Sequence, residues 1–178
     1  MEKEEHAIIL DYLPYGYPLE GKMVPVAQAL GIKNLTLLQL VPRKGVSLEA
    51  KEKVYIGEGK RDKIYYILGR LPREKLTESA KIQLNDYVQN LIEENEKKFA
   101  DFFNTAEAIN TRLHQIELLP GFGKKHMQEI INERMKKKFE NFEDLKNRLP
   151  SLPDPKKAVE KRIIGELTEI HRHNLFVK

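Results

Sequence analysis

The sequence predicts an α+β chain in two parts, a small β-barrel domain over residues 1–76 and an all-α domain over residues 77–178. Three observations lead there. Short runs rich in Ile, Val, Leu and Tyr fill the first part, apolar residues recur at helical spacing from Thr77 onward, and the second half repeats itself after roughly 32 positions.

In the first part, the runs 6–13, 23–30, 35–41 and 53–56 read as strands. Tyr15-Gly16-Tyr17-Pro18, Gly31 and Pro42-Arg43-Lys44-Gly45 punctuate them as turns. Four to five short strands in such a length suggest a closed or half-closed barrel, for which an OB-like fold is the leading candidate. The stretch 61–71 stays open between helix and strand. Ile64, Ile67, Leu68 and Leu71 follow helical spacing, whereas Tyr65, Tyr66 and the flanking glycines suit a last strand.

From Thr77, which can cap, a long helix is expected to about Lys98, with Leu84, Tyr87, Val88, Leu91 and Ile92 on one side. Phe99, Phe102 and Phe103 follow as core residues. Asn104 with Glu107 reads as a capping box opening a next helix, in which Ala106, Ile109, Leu113 and Ile116 recur. Pro120 stops that helix, and Gly121 and Gly123 let the backbone bend with few side chains in the way. Another helix begins at once. Met127, Ile130, Ile131 and Met135 form its stripe, leaving Lys124, Lys125, Gln128 and Arg134 for other faces. Its free N–H groups and positive dipole end point back into the turn beside Lys124 and Lys125, which suits an anion.

The run Leu119, Pro120, Gly121, Phe122, Gly123 resembles the helix-hairpin-helix motif, here spanning 118–124. The resemblance implies that backbone amides of the turn grip a nucleic-acid phosphate without reading sequence, and that hairpin carbonyls can hold a monovalent cation. The same residues also suit a plain helix-to-helix turn. The internal repeat favours the motif, because Lys156-Lys157-Ala158-Val159 falls under Lys124-Lys125-His126-Met127 and implies a tandem bundle. The second turn, at 152–156, departs from the pattern: Leu152-Pro153-Asp154-Pro155 lacks both glycines. Asp154 and Pro155 make a good N-cap and first helical position, and an acid there repels phosphate, so this turn is assigned to structure.

Composition bounds the function. The 178 residues include no cysteine, which removes disulfides, iron–sulfur clusters and thiolate zinc sites. No apolar run approaches the roughly 18 residues of a membrane span, and Met1-Glu2-Lys3-Glu4-Glu5 is too acidic for a targeting peptide, so a cytoplasmic protein is expected. Lys and Glu make up about a quarter of the chain, a lean toward a thermophilic source. The net charge is +4, with the excess of cations after residue 111, in the part that holds the hairpin. Lys136-Lys137-Lys138 reads as a solvated, dipole-compensating helix end.

Gly57-x-Gly59-Lys60 is no Walker A loop, since Arg61 stands where Ser or Thr should bind magnesium. It is a basic turn. Lys60, Arg61 and Lys63, with Arg43 and Lys44 from another loop, are candidates for a single-strand groove, with Tyr55, Tyr65 or Tyr66 as stacking platforms.

No catalytic set emerges. Asp144 follows the hairpin as the acid of a base-excision glycosylase does, but it occupies the N3 position of a helix capped by Asn141. His171-Arg172-His173 reads as a surface segment rather than a metal site, and no cofactor is expected.

The whole layout, with Gly57-Glu58-Gly59-Lys60-Arg61-Asp62-Lys63-Ile64, Thr111-Arg112-Leu113-His114-Gln115 and the hairpin as its most specific residues, resembles an uncharacterised archaeal family regarded as nucleic-acid-binding, RNA in particular. The resemblance covers nearly the full length. It implies a nucleic-acid-binding protein with a place near translation and RNA processing, where protein partners are expected. The lack of a catalytic set and the hairpin motif add that it is expected to be no enzyme and to bind RNA or DNA without sequence specificity. Two rival expectations are a docking adaptor for a nucleic-acid enzyme and, more weakly, a glycosylase-type repair enzyme.

Overall fold

The structure is a computed structural model and describes residues 3–21 and 23–178. Met1 and Glu2, which enter the targeting argument, lie outside the described residues. The chain divides into two compact units, Met1–Tyr87 with Glu166–Lys178, and Val88–Gly165. The boundary expected near Leu76 thus falls short of this division, which also returns the C-terminal segment to the first unit. Among the described residues no helix is long and apolar enough to cross a membrane.

The first unit is built on five strands, β1 His6–Leu13, β2 Val26–Gly31, β3 Leu37–Pro42, β4 Lys53–Tyr55 and β5 Ile64–Arg70. They form one antiparallel sheet in the order β4-β1-β2-β3-β5. Ala7, Ile9, Ala29, Leu40, Val54, Ile56 and Ile64 make its core. The two end strands, β4 and β5, are not paired with each other among the described residues, so the ladder itself is open where a closed barrel would join them.

Within residues 61–71 the structure has a strand, Ile64–Arg70, and the reason for the helical spacing is visible in the register. Pro42 faces Ile64 while Val41 faces Tyr66, and Leu40 faces Ile67 while Gln39 faces Gly69. Tyr65 and Leu68 are therefore extra residues on β5, two β-bulges in one short strand. Each bulge resets the alternation, so Ile64 and Ile67 turn inward three positions apart and mimic a helix.

Gln28, fully buried in β2, is the polar joint of this unit. Its side-chain amide donates to the Lys75 carbonyl at 2.7 Å and its oxygen accepts from the Thr77 backbone at 3.1 Å. Thr77 in turn caps α1, Glu78–Glu94, through its hydroxyl to the Ala80 amide at 3.1 Å. A buried acid, Glu166, holds the C-terminal segment. The Glu166 carboxylate accepts the backbone N–H groups of Leu175, Phe176 and Val177, each at 3.0 Å.

The expected helix to Lys98 is interrupted. α1 stops at Glu94, where Asn95 leaves the helical region and returns its side-chain amide to the Leu91 carbonyl at 2.9 Å. The short helices α2, Glu96–Ala100, and α3, Phe102–Thr105, follow. Phe103 is fully buried and sits 6.0 Å from Phe122 and 6.4 Å from Phe142, centroid to centroid, so Phe99 and Phe103 are core while Phe102 is half-buried.

The helix expected over 104–116 does not form. Asn104 spends its side chain on both backbone groups of Phe139, at 2.8 and 2.9 Å, instead of capping. Ala106 then turns extended, and residues 108–114 close a small loop through a bridge between Ala108 and His114. Ile109, Asn110 and Thr111 are weak helix formers, and the Asn110 side chain accepts the Arg112 amide at 2.8 Å, a local turn that competes with helix. Only a 3-10 turn, Gln115–Leu118, precedes Pro120. The helices α4, Lys124–Lys136, α5, Phe142–Arg148, and α6, Pro155–Thr168, complete the chain. Asn141 and Asp154 cap the last two as their sequence positions imply.

Candidate functional site

The turn between Leu119 and α4 is held from below. Ile116, Leu119 and Phe122 are buried, whereas Pro120, Gly121 and Gly123 face outward. Phe122 packs on Phe103 and on the His126 ring, 5.8 Å away. Arg162 donates to the Leu118 carbonyl at 3.3 Å. The second turn supports the first: a Cβ placed on Gly121 would lie 3.5 Å from the Pro153 ring.

The two glycines of the turn differ in kind. Gly121 has φ +83°, a left-handed conformation in which side chains are strained. Gly123 has φ −112° and ψ −171°, open to any residue, and a Cβ there would meet nothing within 4 Å. What Gly123 supplies is space in front of a helix start.

That start carries donors. Met127 makes the first helical bond, to the Gly123 carbonyl at 3.0 Å, so the amides of Lys124, Lys125 and His126 precede the ladder. Gly123 donates its own N–H to Nδ1 of His126 at 3.1 Å.

Lys124 and Lys125 have separate roles. The Lys124 ammonium donates to the Arg112 carbonyl at 2.6 Å and to Glu117 at 2.9 Å, a pairing that holds the Glu117 carboxyl below its ordinary range. Glu117 also accepts the His114 amide, and His114 Nδ1 accepts the Ile116 amide at 3.1 Å, a reciprocal cap on the 3-10 turn. Burial, helped by the charge of Arg134, pushes the His114 imidazole below its ordinary value. Lys125 is exposed, with no ion pair among the described residues.

On α4, only Ile130 is fully buried. Met135 is 80% exposed, so the expected stripe ends one turn early. Arg134, expected on an outer face, instead turns its guanidinium onto the carbonyls of Ala106 at 2.7 Å and Phe103 at 3.3 Å. Periodicity alone could not reveal that, because the acceptors are the carbonyl of Phe103 in the short α3 and that of Ala106 just beyond it, where the expected helix does not continue.

In the first unit, the Gly57-x-Gly59 motif has its own explanation. The Tyr55 ring lies beneath the loop, and a Cβ on Gly57 would sit 2.4 Å from the Tyr55 hydroxyl, one on Gly59 2.9 Å from it. The hydroxyl accepts the Gly59 amide at 3.0 Å. Tyr55 is thus engaged below the loop, which removes it from the stacking candidates.

The five cations also divide. Lys63 is ion-paired with Glu52. Arg61 directs its Nε to the Gly57 carbonyl at 2.7 Å. Arg43, Lys44 and Lys60 are exposed, and Arg43 joins the two loops by donating its Nε to the Arg61 carbonyl at 2.7 Å. A cleft of about 790 Å³ is lined by Arg61 but by none of these three, and Glu4, Glu5 and Glu58 share it with Lys33 and Arg70.

Asp144 is occupied. It accepts the Glu140 amide at 3.0 Å and Arg148 at 3.2 Å, contacts that hold its carboxyl below the ordinary range, the backbone bond foremost.

A family model described as a protein of unknown function, DUF655, matches residues 3–178. The chain belongs to the DUF655 family. A DUF655 relative in the archaeon Methanocaldococcus jannaschii, the uncharacterized protein MJ0038, is 42% identical over 98% of this chain and 80% of its own length. The crystal structure of Af1531 from Archaeoglobus fulgidus, of the same DUF655 family, superposes with a TM-score of 0.83 at 43% identity, covering 98% of this chain and 100% of that one. The DUF655 fold is accordingly a mixed α+β arrangement, a curled five-stranded antiparallel sheet with helices.

Proposed function

We propose that this protein binds the backbone of a nucleic acid, RNA or DNA, without reading its sequence, and does so through the turn from Pro120 to Lys125. The observation that carries the reading is Gly123. It leaves open space in front of α4, where the Lys124, Lys125 and His126 amides precede the helical ladder and Lys125 stands exposed. A phosphate there meets backbone donors, the positive end of a helix dipole and one cation. Lys124 acts on this reading as a brace rather than a contact, through Glu117. The turn is helix-hairpin-helix-like from Leu119 onward, with a 3-10 turn in place of the first helix. The sheet is OB-like in strand number and pairing order, with its last edge open. A monovalent cation on the carbonyls of the turn is compatible with the same arrangement.

A non-enzymatic role fits the internal bonds of Asp144. The second reading is a docking adaptor in translation or RNA processing. Its support is the second turn, where Asp154 spends its carboxylate on the Lys157 amide at 3.2 Å and Pro153 buttresses Gly121.

The test is Gly123→Asp against Gly123→Ser. Both residues suit an N-cap, so both variants keep or raise stability. Asp places a negative charge where phosphate should sit, and its affinity for any nucleic acid is expected to drop about ten-fold or more at low salt, roughly 1.4 kcal/mol, with Ser falling less. Lys125→Glu should lower affinity similarly, with no change of base preference, since phosphate contacts carry no sequence information. An Asp variant that binds as the parent does reduces the turn to a connection and leaves the adaptor reading.

A further inference from the structure

Strand β5 ends the sheet, with β3 on one side and no strand on the other among the described residues. Its two bulges expose an unusual set of side chains. A regular strand would send Tyr65 and Tyr66 to opposite faces. Here the extra residue at Tyr65 leaves both outward, 65% and 40% exposed, with rings 5.3 Å apart at 76°. Leu68, the second extra residue, is 50% exposed beside them. Ile64 and Ile67 meanwhile stay against the core, so the exposure does not come from a frayed strand.

Cations gather at the same end of β5. The Arg43 amide donates to the Lys63 carbonyl at 2.8 Å, which sets Arg43 and Lys44 beside the first residue of the strand. Lys60 and Arg61 lead into the strand. The acids nearby are fewer. Glu52 is taken by Lys63, Glu58 lies 3.6 Å from Lys3, and Asp62 is exposed.

We infer that the bulged face of β5 is a stacking surface for the bases of a single strand, on Tyr65 and Tyr66, with the strand's phosphates meeting Arg43, Lys44 and Lys60. This rests on the nucleic-acid reading above and names its substrate as unpaired RNA or DNA. Stacking is open to every base because every base has a π-face, so the site is tolerant of sequence. A paired base has no face free to stack, and duplex therefore gains nothing here. The competing occupant, an added β-strand from a peptide or a second copy, is disfavoured by the two bulges, which break the even spacing that strand addition needs.

The experiment uses the full chain and three versions: parent, Tyr65→Thr with Tyr66→Thr, and Tyr65→Phe with Tyr66→Phe. Both tyrosines are exposed and Thr suits a strand, so circular dichroism should be unchanged. Fluorescein-labelled oligouridine and a labelled RNA duplex are titrated by anisotropy. The Thr pair is expected to bind oligouridine about five-fold or more weakly for each stacked base lost, with unchanged duplex affinity and salt slope, while the Phe pair behaves as the parent does. The chain has no tryptophan, so quenching of tyrosine emission by oligouridine, lost in the Thr pair, reads stacking directly. Equal oligouridine affinity in the Thr pair, an equal loss on duplex, or a loss in the Phe pair each overturns the stacking surface. A dimer in the parent that the Thr pair abolishes would overturn it too, in favour of edge pairing between copies. Failure of the turn at Gly123 would look different, because it removes duplex and single-strand binding together.

Discussion

At the residue scale, glycines carry the most specific information, and each for a separate reason. Gly121 is required by its left-handed φ of +83°, so substitution there strains the fold. Gly123 is required by nothing in the fold, which makes it the position where ligand and stability effects separate. Gly57 is required by contact: its missing Cβ is the space taken by the Tyr55 ring. Gly57→Ala is expected to destabilise the chain by about 1–3 kcal/mol, the range for overpacking. In a Tyr55→Leu background the penalty should shrink, giving a coupling energy of about 0.5 kcal/mol or more in a denaturant double-mutant cycle. Additive effects would mean the loop yields without the ring moving. The sequence motif was legible at Gly57-x-Gly59, but its cause was a tyrosine from the preceding strand and not a phosphate.

At the element scale, strands bounded by turn residues were legible, because a period of two and Gly or Pro punctuation act locally. β1 matches its sequence run residue for residue, and β2, β3 and β4 shift by few positions. What periodicity could not carry was β5, where bulges change the period, and the stretch 106–114, where Asn104 and Asn110 satisfy backbone groups outside any helix. Apolar spacing there marks burial rather than helix, since Ala106 and Ile116 are buried from a loop and a 3-10 turn. The cap on that turn gives a pH prediction. His114 Nδ1 accepts the Ile116 amide, and its folded pKa lies below the ordinary 6.5. Between those two values the unfolded chain binds more protons, so stability rises with pH and is lost as acidification proceeds from about 6.5 downward. Glu117, Glu133 and Asp144, all held low, lose their contribution only in a more acidic window, as pH falls below their unfolded values of 4.5 and 3.8. Urea midpoints measured between about pH 7.5 and 5.5 should fall for the parent and fall less for His114→Asn, which keeps an acceptor without titrating. Parallel slopes would remove His114 from the balance.

At the scale of the whole molecule, charge decides little until its partners are known. The excess of cations after residue 111 disappears once the chain is divided by its compact units, each of which carries the same small positive excess. Sequence could name the cations but not their internal acceptors, which lie far along the chain: Lys63 goes to Glu52, Lys124 to Glu117 and Arg134 to the Ala106 carbonyl. Of the candidate cations, Arg43, Lys44, Lys60 and Lys125 are exposed and make no ion pair among the described residues. A phosphate contact releases a condensed counterion, so the slope of log affinity against log salt counts contacts, at about 0.7 per phosphate on single strands. Replacing Arg43, Lys44 and Lys60 by Gln in the full chain should therefore flatten the slope on oligouridine by up to about 2, while Lys63→Gln leaves it nearly unchanged. Lys125→Gln should remove about 0.7 on a single strand and about 0.9 on duplex DNA. The measurement is a set of titrations from about 50 to 200 mM salt, the span over which such slopes are steep. An unchanged slope in the triple variant would place the sheet's loops away from the ligand. A fall for Lys63→Gln as large as for Lys60→Gln would mean that the Glu52 pair opens to admit phosphate.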